Sequence, residues 1–172
     1  MKYIKYVAIL LILAVLVSAG VGIYAYINTR LQVVSISVST RSAESDANTF
    51  SLLQSRLDNG SSTAAVYTTA LDGSASDYGF FTYCVRLHNN GLIRAEMVEV
   101  QPYPVNGDAL SYTTLDTAQL NANRILEAGE DIELYCTLLT SAANLQNYLT
   151  SRTFRITYYI WGMPMTVEAT CQ

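Results

Sequence analysis

The sequence predicts a mostly β protein: an antiparallel β-sandwich of about seven or eight strands with one or two short helices, behind one N-terminal transmembrane helix. Three observations carry that expectation. Residues 6–29 form a run of 24 without a charged side chain. Most segments after Arg30 alternate apolar and polar residues with period two, and Asn-Gly and Gly-Glu turn signals punctuate them. Hydrophobic residues make up 51% of the 172 and charged ones only 14%, which suits an anchor joined to one sheet domain of about 130–140 residues.

The apolar run comes first. As a helix it reaches ~36 Å, enough for a ~30 Å hydrocarbon layer with some tilt. Lys2 and Lys5 flank it on one side and Arg30 on the other, so the positive-inside bias puts residues 1–5 in the cytoplasm, 6–29 in the bilayer and 30–172 outside the cell membrane. Tyr3 and Tyr6 at one end, with Tyr24 and Tyr26 at the other, stand where aromatic belts meet headgroups. Signal cleavage after Ala19 or Ala25 is a competing reading, because both sites satisfy the small-residue rule; it makes the domain a secreted one. A pilin leader is a third, but no acidic residue occurs before Glu44, where such leaders place a glutamate just inside the apolar run.

Leu31–Ser39 carries the chain into the domain, with Val34, Ile36 and Val38 on one face. A helix follows, capped by Asp46 or Asn48, with Phe50, Leu53 and Leu57 inward and Asn59-Gly60 as its stop. Ala64–Leu71 offers a short edge strand. Phe80–His88 is the clearest strand: Phe81, Tyr83, Val85 and Leu87 line one face, and Thr82, Cys84, Arg86 and His88 the other. Asn89-Asn90-Gly91 turns the chain, and Ala95–Tyr103 returns as the next strand. Asn106-Gly107 marks another turn. Leu120–Leu126 and Asp131–Leu139 flank the Glu127–Glu130 turn, and a short helix over Ala142–Leu149 points Leu145, Tyr148 and Leu149 inward. Phe154–Trp161 and Met165–Cys171 end the domain.

The stretch Val85-Arg86-Leu87-His88-Asn89-Asn90-Gly91, followed about 35 residues later by Leu126-Glu127-Ala128-Gly129-Glu130 and a strand, resembles the bacterial cell-adhesion-related Ig-like domains (CARDB type). The resemblance covers about Tyr78 to Cys171. It implies an immunoglobulin-like sandwich at a cell surface and carries over no functional residue.

Three cysteines in an exported domain suggest one disulfide with one thiol left over. Alternation favours Cys136–Cys171, since both share parity with inward residues; Cys84–Cys136 is second, and three free thiols remain open. The bridge closes a ~36-residue loop, a contribution of ~3–4 kcal/mol.

Little else in the sequence points to chemistry. His88 is the sole histidine and lacks a recognisable nucleophile, so neither a catalytic set nor a zinc site assembles around it. Asp72–Asp77 places oxygens at alternate positions but lacks the length and glutamate of a calcium loop; it and Glu130-Asp131-Glu133 read as solvated turns. No metal ligand, cofactor or catalytic residue is assigned. Asn59-Gly60-Ser61 is a glycosylation sequon. Tyr159 and Trp161, which alternate away from Phe154 and Ile156, are the candidate binding aromatics, ahead of Tyr103, Tyr112 and Tyr158.

Eight arginines face fourteen acidic groups beyond Lys5, so the domain sums to −6, a sign that repels nucleic acid. The expected function is therefore non-enzymatic: a single-pass surface or envelope protein that meets lipid through its helix and a protein or the cell wall through its sandwich. A pilin-like filament subunit and a secreted binding domain are the alternatives.

Overall fold

The computed structural model describes residues 2–58, 65–67, 71, 73–113 and 124–171. It opens with α1 (Lys2–Asn28), 27 residues whose Tyr3–Asn28 portion contains an 18-residue window of mean hydropathy 2.7 and is long and apolar enough to cross a membrane. Two residues later the chain enters β1 (Leu31–Ser42). After a 3-10 turn at Glu44–Asp46 comes α2 (Ala47–Asp58), then β2 (Ala65–Val66), β3 (Tyr78–Asn89), β4 (Glu96–Pro102), β5 (Asp108–Tyr112) and β6 (Asp131–Ser141). The chain ends with α3 (Ala142–Gln146), β7 (Arg152–Ile160) and β8 (Met163–Cys171).

Among the described residues the strands form two antiparallel sheets, β1-β3-β6-β5-β2 and β4-β7-β8. The molecule is thus the mostly β sandwich that the sequence predicts. Phe81, Tyr83, Val85 and Leu87 of β3 meet Phe154, Ile156, Tyr158 and Ile160 of β7 in the core between the sheets, all fully buried. That is the alternation read from the sequence. A second core lies on the outer face of the larger sheet, where Phe50 and Leu53 of α2 cover Phe80, Leu110 and Leu139. Leu57 packs there too, and the Asp46 carboxylate accepts from the Thr49 backbone N–H at 3.4 Å, as an N-terminal cap should.

Several expectations need correction. Val34 is exposed, not inward, because the β1–β3 register shifts between Val33 and Ser35; the bulge throws Val34 out and leaves Leu31, Val33, Ile36 and Val38 toward the core. Asn89-Asn90-Gly91 closes no hairpin. β3 pairs with β1 and β6, while β4 crosses to the other sheet and pairs with β7. β5 had no alternation to betray it, since every residue from Asp108 to Tyr112 is buried. The last helix stops at Gln146, and with Tyr148 in the left-handed region (φ 49°) both Tyr148 and Leu149 face out. Leu145 alone of the expected three packs inward. The Cys136–Cys171 bridge is not formed: all three cysteines are free, Cys136 at mid-β6 in the larger sheet and Cys171 at the end of β8 in the smaller. Of the expected edge strand, Ala65–Val66 is seen pairing β5. Asn59, Gly60, Ser61, Asp72 and most of Leu120–Leu126 lie outside the described residues; Leu126 itself makes one antiparallel bridge to Ala95.

Candidate functional site

Three surfaces stand out, ordered along β3, which runs from the far end of the sandwich at Tyr78 to the α1 end at Asn89.

The α1 end is built as a joint. Thr29 is fully buried and its hydroxyl donates to the Ala25 carbonyl at 2.8 Å. Gly91 lies directly against it, so close that a β-carbon at 91 would overlap the Thr29 side chain and its Cα. The Asn90 backbone N–H donates to the Arg30 carbonyl at 3.2 Å. Behind this contact Asn89, fully buried, donates its amide to the carbonyls of Ile93 and Leu126 (2.8 and 3.1 Å) and accepts the Gly91 N–H at 2.9 Å. A buried polar side chain with all these partners satisfied fixes the loop that receives the helix. The β7–β8 hairpin reaches α1 from the other sheet. Its turn is Trp161-Gly162, both at positive φ (51° and 76°), and Trp161 stacks on Tyr26 with ring centroids 6.2 Å apart. Tyr26 also donates to the Met165 sulfur at 3.5 Å.

The second surface is the part of the larger sheet that α2 leaves open. Arg86 and His88 of β3 converge on Asp131 of β6: Arg86 donates through both Nε (3.2 Å) and Nη2 (2.6 Å), and His88 Nδ1 lies 2.6 Å from the other carboxylate oxygen. Hydrogen bonds from Arg86 and then His88 hold the Asp131 carboxyl below its usual range. Cys84 lies opposite Tyr135 one row along, and their contact raises the Tyr135 phenol. On β1 the same face shows Ser35, Ser37 and Ser39. His88 is thus one arm of an open charge cluster and is not paired with a nucleophile.

At the far end a cleft of about 740 Å³ lies between the Pro104–Asp108 loop, Tyr67, Tyr78 and Ser141. Beneath it Arg152 donates to both Asp108 oxygens (3.1 and 2.8 Å) with the two side chains 1% and 0% exposed. Asp77, on the rim, accepts from both the N–H and the hydroxyl of Ser74 (2.8 and 2.9 Å), and these bonds lower its pKa. Its Oδ2 is thereby engaged in capping a turn. Among the described residues no group of three or more His, Cys, Asp or Glu is arranged to hold a metal ion.

The two candidate aromatics part company. Tyr159 stays half-buried on β7, opposite Glu96 and Pro164, whereas Trp161 leaves the strand, is 59% exposed and turns onto α1. Tyr103 is engaged on the outer face of the small sheet, donating to Glu168 at 2.8 Å and accepting from Arg155 at 2.7 Å. Tyr112 and Tyr158 are core residues. Sequence reasoning missed Asp108 and Arg152, although a signal existed: Arg152 shares parity with Phe154 and Ile156, and an arginine on an inward face demands a buried acid.

No family model matches this chain, and no curated protein matches it. Among solved structures it is similar to a FixG-related protein from Vibrio parahaemolyticus, with 17% identity over 53% of this chain and 75% of that one, at a TM-score of 0.29. A likeness of that size assigns neither family nor activity.

Proposed function

We propose that this is a single-pass membrane protein with a cytoplasmic N-terminus, whose β-sandwich stands on the outer surface and acts by contact with another protein or the cell wall, without catalysis. One observation supports this above the others: α1 is bare of domain contacts over its first five turns and then locks into the sandwich at Ala25, Thr29 and Leu31. A helix exposed along an uncharged length of 30 Å or so needs a lipid surround, and a fixed joint holds the domain at one attitude to the bilayer. Lys2 and Lys5 before the span and Arg30 after it set the orientation. The open Arg86–His88–Asp131 face, flanked by the serines of β1, is the surface offered to the partner, and its charged groups are engaged with one another rather than poised for a reaction.

Reporter fusions test the topology. Alkaline phosphatase joined after Gln172 is expected to be active and green fluorescent protein at the same point dark; the reverse pattern sinks the proposal. A photo-cross-linker in place of Ser37 is expected to give a discrete heavier adduct in cells, and the same group at Thr170, on the opposite sheet, none. Equal cross-linking from both faces removes the interaction surface.

A further inference from the structure

The β7–β8 hairpin ends in a residue that turn chemistry does not explain. Both central residues of its two-residue turn have positive φ, the geometry for which Asn-Gly is preferred, yet the first is Trp161. A bulky side chain in the left-handed region is strained, and such strain persists where the side chain serves another purpose. Stacking on Tyr26 leaves Trp161 59% exposed, and beside it Met163 is 46% exposed.

The position of that exposed face along α1 identifies what it meets. Trp161 reaches back past the helix end to Gly22, where its Cη2 lies 3.8 Å from the point a β-carbon would occupy. Gly22 offers no side chain, and the indole fills the space. Twenty residues of helix, ~30 Å, counted from Tyr6 end at Ala25, so Gly22 lies ~4 Å inside the hydrocarbon edge. Tyr24 and Tyr26 occupy the same level, and the opposite belt of Tyr3 and Tyr6 stands ~30 Å away. Trp161, 135 residues further along the chain than Tyr26, completes the outer belt from the side.

We propose that the Ile160–Met163 hairpin tip is a second membrane contact, with Trp161 and Met163 lodged at the acyl–headgroup boundary of the outer leaflet beside Gly22 and Tyr26. This rests on the reading of α1 as a retained anchor. The hairpin and the joint at Thr29 then give the sandwich two supports on the bilayer, which stops it swinging about the helix.

Trp161 is the sole tryptophan, so the unmodified full chain reports on itself. In phosphatidylcholine vesicles its emission is expected to be blue-shifted and to fall to about half when the lipid carries bromine high on the acyl chain, less when the bromine is near the chain end. Iodide supplied on both sides of the bilayer is expected to quench it weakly. If iodide quenches strongly and brominated lipid does not, while alkaline carbonate leaves the chain in the vesicles, the anchor stands and the hairpin contact is overturned. If carbonate releases the chain, the anchor and the hairpin contact fall together.

Discussion

Arg152 carries a full charge in the core, and four hydrogen bonds answer it: two to Asp108 and two to the carbonyls of Leu149 and Ser151 at 2.6 and 2.8 Å. Removing two ions from water costs several kcal/mol each, so the pair adds little net stability over an apolar filling of the same shape. Breaking it is different. Asp108→Asn keeps the volume but leaves the guanidinium charge uncompensated, and the expected loss is ~3–5 kcal/mol. Asp108→Asn combined with Arg152→Met removes both charges and is expected to recover a large part of that loss. Denaturant midpoints of the full chain in detergent measure both; a single variant within ~1 kcal/mol of the natural protein would show the pair to be solvated. The same residue shows why sites hide in sequences: parity placed Arg152 inward, but nothing local names an acid 44 positions earlier as its partner.

At the scale of elements, the joint between α1 and the sandwich depends on one missing side chain. Gly91 touches the Thr29 backbone as well as its side chain, so an added methyl cannot be relieved by a rotamer change. Gly91→Ala is expected to cost ~1–3 kcal/mol, concentrated at the joint. The readout is trypsin at Arg30, whose carbonyl is held by Asn90 and whose successor Leu31 is buried. Cleavage there is expected to quicken by roughly 5- to 150-fold, since proteolysis follows the population of the opened state. An unchanged rate would mean the contact gives way freely. Elements were legible where one face met the core and the other met water, as in β3 and β7. They were not where both faces are covered, as in β5 beneath α2, nor at Val34, where a bulge breaks the period without any glycine or proline to announce it. The Asn89-Asn90-Gly91 signal was real but its use was not a hairpin: the asparagine binds the loop that receives α1, a long-range role that no turn rule encodes.

For the whole molecule, the larger sheet is closed on one face by its partner sheet and on much of the other by α2, so its inner strands open only with the fold itself. The three thiols sample that hierarchy. Cys84 lies on the open face and is partly exposed; Cys171 closes the last strand, where fraying is cheap, and burial raises its thiol. Cys136 sits mid-β6, 1% exposed, and burial pushes its thiol up to about 12. The thiolate attacks a maleimide, so Cys136 is guarded both by access and by its protonation at pH 8. The expected order of labelling in the native full chain is Cys84, then Cys171, with Cys136 reacting only at the rate of global unfolding and accelerating with denaturant along the same slope as the loss of sheet structure. Mass spectrometry of the labelled peptides reads the order directly. Early labelling of Cys136 would mean the sheet opens locally. Failure of both Cys136 and Cys171 to label even when unfolded, with an intact mass lower by two hydrogens, would restore the bridge that their shared inward parity suggests and make the two sheets a cross-linked body rather than one held by packing alone.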